Sequence, residues 1–189
     1  RGAMQELIIG DPLDFATDIG PLINQKAVNK VLLHIEHMRN KGLNVISLGQ
    51  LKQQGKNFVL PTLIELDSIA QLTQEIFGPV LHVIRYQYGE IETIIDQVNQ
   101  TGFGLTFGLH SRIPSRIEKL ADRINAGNIY INRNMIGAVV CVQPFGGHGL
   151  SGTGPKAGGP NYLQRFAIEK TITVNTTSIG GDLQLLNQK

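Results

Sequence analysis

The chain has 189 residues, of which 41% are hydrophobic, and a formal net charge of +2. This length suffices for one ordinary domain with a sizeable core, and the balanced charge excludes the basic stripe typical of nucleic-acid binding. No apolar run approaches the roughly 20 residues that span a bilayer, so we expect a cytoplasmic protein without membrane insertion. With a single cysteine, the chain can form no internal disulfide and no cysteine-based metal site.

Helix-like and strand-like segments alternate along the chain. Residues 1–8 resemble the end of a helix already under way, which favours a piece of a longer protein, and turn pairs across Gly10–Pro21 predict an ordered loop. Apolar side chains across Ala27–Met38 follow the 3.6-residue helical period, with Asn24 as the start and Gly42 as the stop. The remaining predicted elements are strands at Leu43–Leu48, Phe58–Leu66, Pro79–Tyr86, Phe103–Ser111, Asn128–Asn132 and Ala138–Val142, and helices at Glu90–Asn99 and Ile113–Asn125.

This alternation predicts an α/β fold with an open, mostly parallel sheet and flanking helices. The last regular segment, Lys170–Asn175, alternates polar with β-branched residues. Such a pattern is typical of a half-exposed edge strand or of a strand between subunits.

Gly147, Gly149 and Gly152 have the G-x-G-x-x-G spacing of a dinucleotide-binding turn. That motif needs a helix after the glycines, and the prolines and glycines of TGPKAGGP disfavour one. A Walker A reading fails because Lys156 is followed by alanine. A phosphate cradle, a mobile surface loop and a loop whose backbone approaches a ligand closely remain as interpretations, and the first is the least favoured.

Cys141 is a candidate nucleophile only if a base or a helix N-terminus lowers its pKa. Its neighbours in sequence are valines, and unpaired cysteines are among the most buried residue types. We therefore expect a packed structural thiol.

The five histidines offer no recognisable metal-binding pattern. His34 and His37 stand three residues apart on the first long helix, but no acidic or cysteine ligand accompanies them, so we predict a solvated helix face. His82 and His110 are interpreted as structural histidines. His148 lies in the glycine-rich loop, where it could contact a ligand or remain exposed.

The segment EIFGP at Glu75–Pro79 leads through a Gly-Pro turn into a strand. Glu75 could accept hydrogen bonds from sugar hydroxyls, and Phe77 could pack on a planar ring. A plain turn with a core phenylalanine explains the segment equally well.

EIFGP is followed by further motifs in order: NQTGFGLTFGLHSR, AGNIYINRNMIGAV and QPFGGHGLSGTGPKAGGPNYLQRF. Together with the GDP and TDIGPLIN segments near the start, this series resembles the C-terminal half of the aldehyde dehydrogenase superfamily across essentially the whole chain. It is similar in particular to the glutamate-γ-semialdehyde (pyrroline-5-carboxylate) dehydrogenase domain of proline utilization A, a bacterial bifunctional enzyme. The resemblance implies that residues 1–168 form the C-terminal part of a catalytic domain, and residues 169–189 an oligomerisation flap segment and tail.

The resemblance also implies roles for the substrate side of the site. It identifies the glycine-rich stretch as the aldehyde anchor loop, with the backbone amides of Gly158 and Gly159 holding the substrate carboxylate. Phe166 would pack beside the aliphatic chain, and Phe145 would form part of the aldehyde tunnel wall. A glycine-rich backbone that points N–H groups at negative charge is a plausible anion nest.

The implied cofactor is NAD, with Glu75 and Phe77 contacting the nicotinamide riboside and Leu105 making an apolar contact near the nicotinamide. FAD is expected only in the separate proline dehydrogenase domain of the parent protein. The family's nucleophilic cysteine and general-base glutamate match no position of this chain, so no catalytic residue and no metal ligand are assigned. We expect the isolated chain to be inactive.

The implied partners are the small-molecule aldehyde glutamate γ-semialdehyde and the rest of the parent polypeptide, including its Rossmann-like and proline dehydrogenase domains. A homo-oligomer is expected, and the resemblance allows peripheral association of the parent with the inner membrane. Two alternatives stay open: another aldehyde dehydrogenase with a different substrate, and a non-catalytic interaction module on a truncated dehydrogenase fold.

Overall fold

The computed structural model describes residues 1–52, 55, 57–139 and 141–175. The helices are α1 (Gly2–Glu6), α2 (Gln25–Asn40), α3 (Ile91–Gln100) and α4 (Pro114–Arg123), with short 3-10 helices at Ile69–Gln71 and Tyr162–Phe166. The strands are β1 (Ile8–Ile9), β2 (Asn44–Ser47), β3 (Gln50–Leu51), β4 (Thr62–Leu66), β5 (Val80–Ile84), β6 (Phe103–Gly104), β7 (Thr106–Leu109), β8 (Asn128–Ile131) and β9 (His148–Gly149). Within this described part, no helix combines the length and apolarity needed to cross a membrane.

The strands of the described residues form four small sheets. β4 lies between β2, which is antiparallel to it, and β5, which is parallel. β1 pairs with β3 and β7 with β8 in parallel, whereas β6 and β9 are antiparallel. The α/β class with mostly parallel pairing is confirmed, and the strands are divided among separate small sheets.

Helix α2 begins where its residue types predict. The Asn24 side chain accepts a hydrogen bond of 2.9 Å from the backbone N–H of Ala27, which satisfies one of the free donors of the first turn. The chain leaves the helix through Gly42, whose φ of +80° carries no steric penalty for glycine. The apolar stripe of α2 packs on β4 to form the larger core, which comprises Val28, Val31, Ile35, Met38, Val59, Ile64 and Leu66.

A second core lies between α3, α4 and the parallel pair β7–β8. Ile95 of α3 and Leu120 of α4 are almost fully buried there. At the rim, Arg123 bridges Glu92 and Asp96, and its hydrogen bond is the main cause of the lowered pKa of Asp96. These ion pairs are exposed to solvent, so the buried apolar contacts dominate the stability of the pair of helices.

The predicted strand Phe103–Ser111 is broken at Leu105. β6, before it, pairs with β9, and β7, after it, pairs with β8. The Leu105 carbonyl accepts a hydrogen bond of 3.0 Å from the backbone N–H of Asn128, so the chain changes strand partner at this residue. The predicted strand Phe58–Leu66 is likewise shorter, because it forms only after Pro61, which has no N–H to donate.

The predicted extended run Ala138–Val142 and the predicted buried thiol within it are wrong. The backbone N–H of Val142 donates to the Val139 carbonyl, which closes a turn, and Cys141 has a left-handed φ of +64°. The Cys141 side chain is exposed. A residue with a left-handed φ interrupts an extended backbone, which the run of valines did not indicate. Val140 lies outside the described residues.

The C-terminal strand is not formed within the described part of the chain. Lys170–Asn175 is exposed and forms neither helix nor strand there. Residues 176–189 lie outside the described residues, so the assignment of 169–189 to an oligomerisation flap stays a prediction.

We expect Asn24→Ala to lower the free energy of unfolding by about 0.5–2 kcal/mol, because the N-terminal turn of α2 loses its side-chain acceptor. Chemical denaturation of the polypeptide that carries this chain measures the effect. Asn24→Asp, which keeps an acceptor oxygen in the same position, serves as the control and should retain most of the stability. Equal losses in both variants would show that the cap does not stabilise the helix.

Candidate functional site

Glu75 and Phe77 line a cavity of about 700 Å³ between α2 and residues 74–77. The Phe77 side chain is 78% exposed, which is unusual for an aromatic residue without a partner. The exposed Glu75 carboxylate forms no ion pair or hydrogen bond with the other described residues, so it is free to accept hydrogen bonds from a ligand. Lys26 and Lys30 of α2 lie on the cavity wall and add positive charge.

The turn that presents Phe77 is held against α2 by Gly78. A Cβ atom at Gly78 would lie 2.6 Å from Cγ2 of Val31, closer than side chains approach one another. The glycine therefore lets the EIFGP backbone reach the helix surface, while Glu75 and Phe77 remain on the cavity side. The packed phenylalanine of the plain-turn interpretation is not observed.

The glycine loop, residues 143–166, has little regular secondary structure and is ordered by its own backbone hydrogen bonds. Phe145 and Ala157 exchange two bonds of 3.0 and 2.9 Å, which hold these two parts of the loop side by side. β9 within the loop pairs with β6, and the hydroxyl of Ser151 accepts a hydrogen bond of 3.1 Å from Gly104 N. The loop is therefore fastened to the body of the domain, contrary to the mobile-loop interpretation.

The same geometry is incompatible with a phosphate cradle of the dinucleotide-binding type. His148 and Gly149 form a short strand, and the chain after Gly152 makes turns. The next helical segment is the 3-10 helix Tyr162–Phe166, so no helix N-terminus follows the glycines directly.

Gly158 and Gly159 differ in the availability of their amides. Gly158 is exposed, has a φ of +70°, and its N–H donates to no backbone carbonyl of the described residues. Gly159 donates its N–H to the carbonyl of Lys156 at 3.0 Å. In this conformation Gly158 offers a free donor, whereas the amide of Gly159 helps to close the turn.

The remaining predicted contacts fall into two groups. Leu105 and the half-buried Phe145 lie where the glycine loop meets the start of β8. Gly158 and Gly159 belong to the same loop. Phe166 lies at the end of the loop, where it is 70% exposed and makes an edge-to-face contact with Tyr162.

Sequence reasoning missed a contact between His34 of α2 and His82 of β5. Their Nε2 atoms are 2.9 Å apart, and the rings meet at 77°. One ring must donate and the other must accept, so the two histidines cannot both be protonated in this arrangement. Burial lowers the pKa of both histidines, and the nearby His37 and Lys41 lower that of His34 further. The predicted solvated face is thus wrong for half-buried His34 and confirmed for exposed His37.

Sequence reasoning also missed Asn128 and Lys156, whose side chains bond to the backbone around the glycine loop. The Asn128 amide contacts Pro144 and Gly146, and the Lys156 ammonium donates to the carbonyl of Gly127. A polar residue at an inward-facing position of the strand NIYIN was the available signal for Asn128.

The sequence model of the aldehyde dehydrogenase family matches residues 1–172. The chain belongs to this family. It is 49% identical over 186 residues to the bifunctional protein PutA of Rhizobium meliloti and 52% identical over 176 residues to PutA of Escherichia coli. It is also 37% identical over 169 residues to 1-pyrroline-5-carboxylate dehydrogenase of Bacillus subtilis. The predicted resemblance to the aldehyde dehydrogenases is confirmed.

Solved structures of the family confirm the fold. A crystal structure of a proline utilization A mutant from Bradyrhizobium japonicum has a TM-score of 0.84 at 52% identity and covers 94% of this chain. An aldehyde dehydrogenase mutant from Bacillus cereus has a TM-score of 0.72 at 28% identity over 83% of this chain.

The chain spans a small part of these relatives. The alignments cover 98% and 90% of this chain but 15% and 13% of the two PutA proteins. The alignment with the Bacillus subtilis dehydrogenase covers 88% of this chain and 32% of that protein. This chain covers 18% of the solved Bradyrhizobium japonicum chain and 32% of the solved Bacillus cereus chain.

We expect the stability of this aldehyde dehydrogenase segment to fall as the pH drops below about 6.5, the ordinary pKa of histidine. His34 and His82 have lowered pKa values when folded, so the unfolded state binds more protons in this range and the free energy of unfolding decreases. Above that pH both states carry neutral histidines, and the contribution is constant.

Denaturation at pH 7.5 and pH 5.5 measures this dependence. The variant His82→Gln keeps a hydrogen-bonding side chain that does not titrate, so its loss of stability between the two pH values should be smaller. A loss as large as that of the unaltered chain would contradict the role of the histidine pair.

Proposed function

We propose that the chain is the C-terminal part of the catalytic domain of an NAD-dependent L-glutamate γ-semialdehyde dehydrogenase, the second step in the oxidation of proline to glutamate. The observation that carries the proposal is the glycine loop, where Gly158 presents an unpaired amide on a fastened backbone. The relatives named PutA and 1-pyrroline-5-carboxylate dehydrogenase support this substrate class.

The cavity beside Glu75 fits the nicotinamide riboside part of NAD. The free Glu75 carboxylate can accept hydrogen bonds from the ribose hydroxyls, and exposed Phe77 offers a flat apolar surface to a planar ring. NAD supplies the hydride acceptor when it is bound. Leu105, at the change of strand partner between β6 and β7, would add an apolar contact near the nicotinamide.

The substrate side of the proposed site uses backbone donors and aromatic walls. The Gly158 amide would bind the substrate carboxylate, and Gly159 would contribute by shaping the turn and by sharing its N–H between Lys156 and the ligand. Phe145 and Phe166 would pack along the aliphatic chain. These groups bind and orient the aldehyde, which raises the rate by holding it in a reactive geometry.

The reacting thiol is proposed to come from another part of the parent polypeptide. Cys141 has an exposed side chain in a left-handed turn, and no described residue that could act as a base bonds to it. The proposed partners are therefore the Rossmann-like and proline dehydrogenase domains of a PutA-like protein, with FAD confined to the latter. We also propose a homo-oligomer and a cytoplasmic location, with peripheral attachment of the parent to the inner membrane.

Glu75→Ala in the complete polypeptide should raise the dissociation constant for NAD on the order of tenfold, because the ribose hydroxyls lose a charged acceptor. Isothermal titration with NAD checks this. Thr73→Ala, an exposed change two residues away that is outside the cavity wall, is the control and should bind NAD normally. Unchanged affinity in Glu75→Ala would remove this residue from the cofactor site.

Gly158→Val should lower kcat/KM for glutamate γ-semialdehyde much more than for the uncharged aldehyde propanal. A β-branched residue disfavours the left-handed φ, at a cost of roughly 1–2 kcal/mol, and so redirects the amide. Steady-state kinetics with both aldehydes measure this ratio.

The control for that prediction is Gly158→Asn, because asparagine tolerates the left-handed region and keeps the N–H in place. No described heavy atom lies within 4 Å of a Cβ at this position, so the protein itself accommodates either side chain. We expect the asparagine variant to keep most of its selectivity for the carboxylated aldehyde. Equal damage in both variants would show that bulk beside the ligand, not the direction of the amide, decides activity.

A further inference from the structure

Asn128 is a polar residue at a buried position of a strand, where an apolar side chain is usual. It begins β8, its side chain faces the same side as the buried Tyr130, and the residue is only 7% exposed. Burying a carboxamide costs free energy unless its donor and acceptor are both satisfied. The hydrogen bonds of the carboxamide therefore indicate why this position holds asparagine and not valine or isoleucine.

All the described hydrogen bonds of the Asn128 side chain go to the glycine loop, and they bracket Phe145. Nδ2 donates to the carbonyl of Pro144 at 3.0 Å, and Oδ1 accepts from the N–H of Gly146 at 3.2 Å. The carboxamide thus bonds to the backbone on both sides of the phenylalanine. It sets the position of that segment relative to the strand.

The backbone of the same residue contacts the other side of the proposed site. Its N–H donates to the carbonyl of Leu105 at 3.0 Å. Leu105 is the proposed nicotinamide contact, and Phe145 is the proposed wall beside the aldehyde. Asn128 therefore bonds directly to the backbone of the cofactor segment and of the aldehyde segment.

From this geometry we infer that Asn128 is a positioning residue, which holds the aldehyde wall at Phe145 in register with the nicotinamide contact at Leu105. The inference rests on the proposed function for the meaning of the two segments, whereas the linkage itself rests on the hydrogen bonds alone. Hydride transfer requires the aldehyde carbon and the nicotinamide to meet at close range, so a small shift between the two walls lowers the rate steeply.

The surroundings explain why the carboxamide decides the register here. Gly127 precedes Asn128, and a Cβ there would lie 1.9 Å from the carbonyl oxygen of Gly146. Strand start and loop thus meet backbone to backbone. The Lys156 ammonium closes the other side by donating to the Gly127 carbonyl. With so little side-chain packing between the two segments, directional hydrogen bonds set their relative position.

The test compares Asn128→Asp with Asn132→Asp in the complete polypeptide. Asn132, directly after the end of the same strand, makes a similar pair of bonds, accepting from Ser111 N and donating to Ser111 O, both at 2.9 Å. Each substitution keeps the side-chain shape but replaces the donating NH2 group by a carboxylate oxygen. Only the first change affects the glycine loop, so the second controls for a general loss of strand stability.

We expect Asn128→Asp to lower kcat/KM for both glutamate γ-semialdehyde and propanal by roughly tenfold to a hundredfold, since both aldehydes use the same wall. The dissociation constant for NAD should stay within about twofold, because the bond to Leu105 comes from the backbone. Amide hydrogen exchange, followed by mass spectrometry, should become faster in residues 143–147 and stay unchanged in α2. Asn132→Asp should leave both kinetics and loop exchange near those of the unaltered protein.

A second variant, Asn128→Ser, guards against a folding defect of the buried carboxylate. It is neutral and too short to bridge both loop atoms, so it should also accelerate loop exchange while melting close to the unaltered protein. Unchanged loop exchange in Asn128→Asp and Asn128→Ser would overturn the inference, as would activity losses that merely track the unfolded fraction. If the unaltered polypeptide does not oxidise glutamate γ-semialdehyde, the proposed function fails, and loop exchange still decides the role of Asn128.

Discussion

The close backbone contact between the start of β8 and the glycine loop determines how the proposed substrate site is arranged. A Cβ atom at Gly127 would lie 1.9 Å from the carbonyl oxygen of Gly146, so the strand start has no space for a side chain at this point. This contact brings the loop against the β7–β8 pair, and the bonds of Asn128 and Lys156 then fix its register. A loop of this kind gains order from directional hydrogen bonds, since it buries little apolar surface of its own.

Most of the proposed ligand contacts are exposed side chains. Phe77, Leu105 and Phe166 are apolar and accessible, and the Glu75 carboxylate has no partner within the described residues. Single exposed apolar side chains are common, so a ligand is indicated chiefly by the cavity that Phe77 lines together with Glu75. The two cores of the chain are completed without these side chains, so the fold does not need them for stability. They are available for a ligand and for the rest of an aldehyde dehydrogenase domain.

The two parts of the proposed site are placed by different kinds of interaction. The Glu75 segment is positioned by apolar packing, because Gly78 lies directly on Val31 of the α2 core. The glycine loop is positioned by hydrogen bonds to β6 and β8. Packing tolerates conservative changes in shape, whereas a carboxamide that bonds two backbone groups has no close substitute. The two segments therefore differ in which substitutions they accept.

The sequence by itself determined the α/β class, the bounds of α2 with its Asn24 cap, and the family, because helical periodicity, capping and motif order are local properties of the chain. It also indicated Glu75 and Phe77, since their motif marks a turn before a strand. Only the tertiary structure decided that Cys141 is exposed in a turn, that His34 meets His82, and that Asn128 holds the loop. The turn at Cys141 is local but runs against the strand preference of its valines, whereas the other two outcomes depend on pairs far apart in the chain, such as Gly127 with Gly146, whose approach no local pattern encodes.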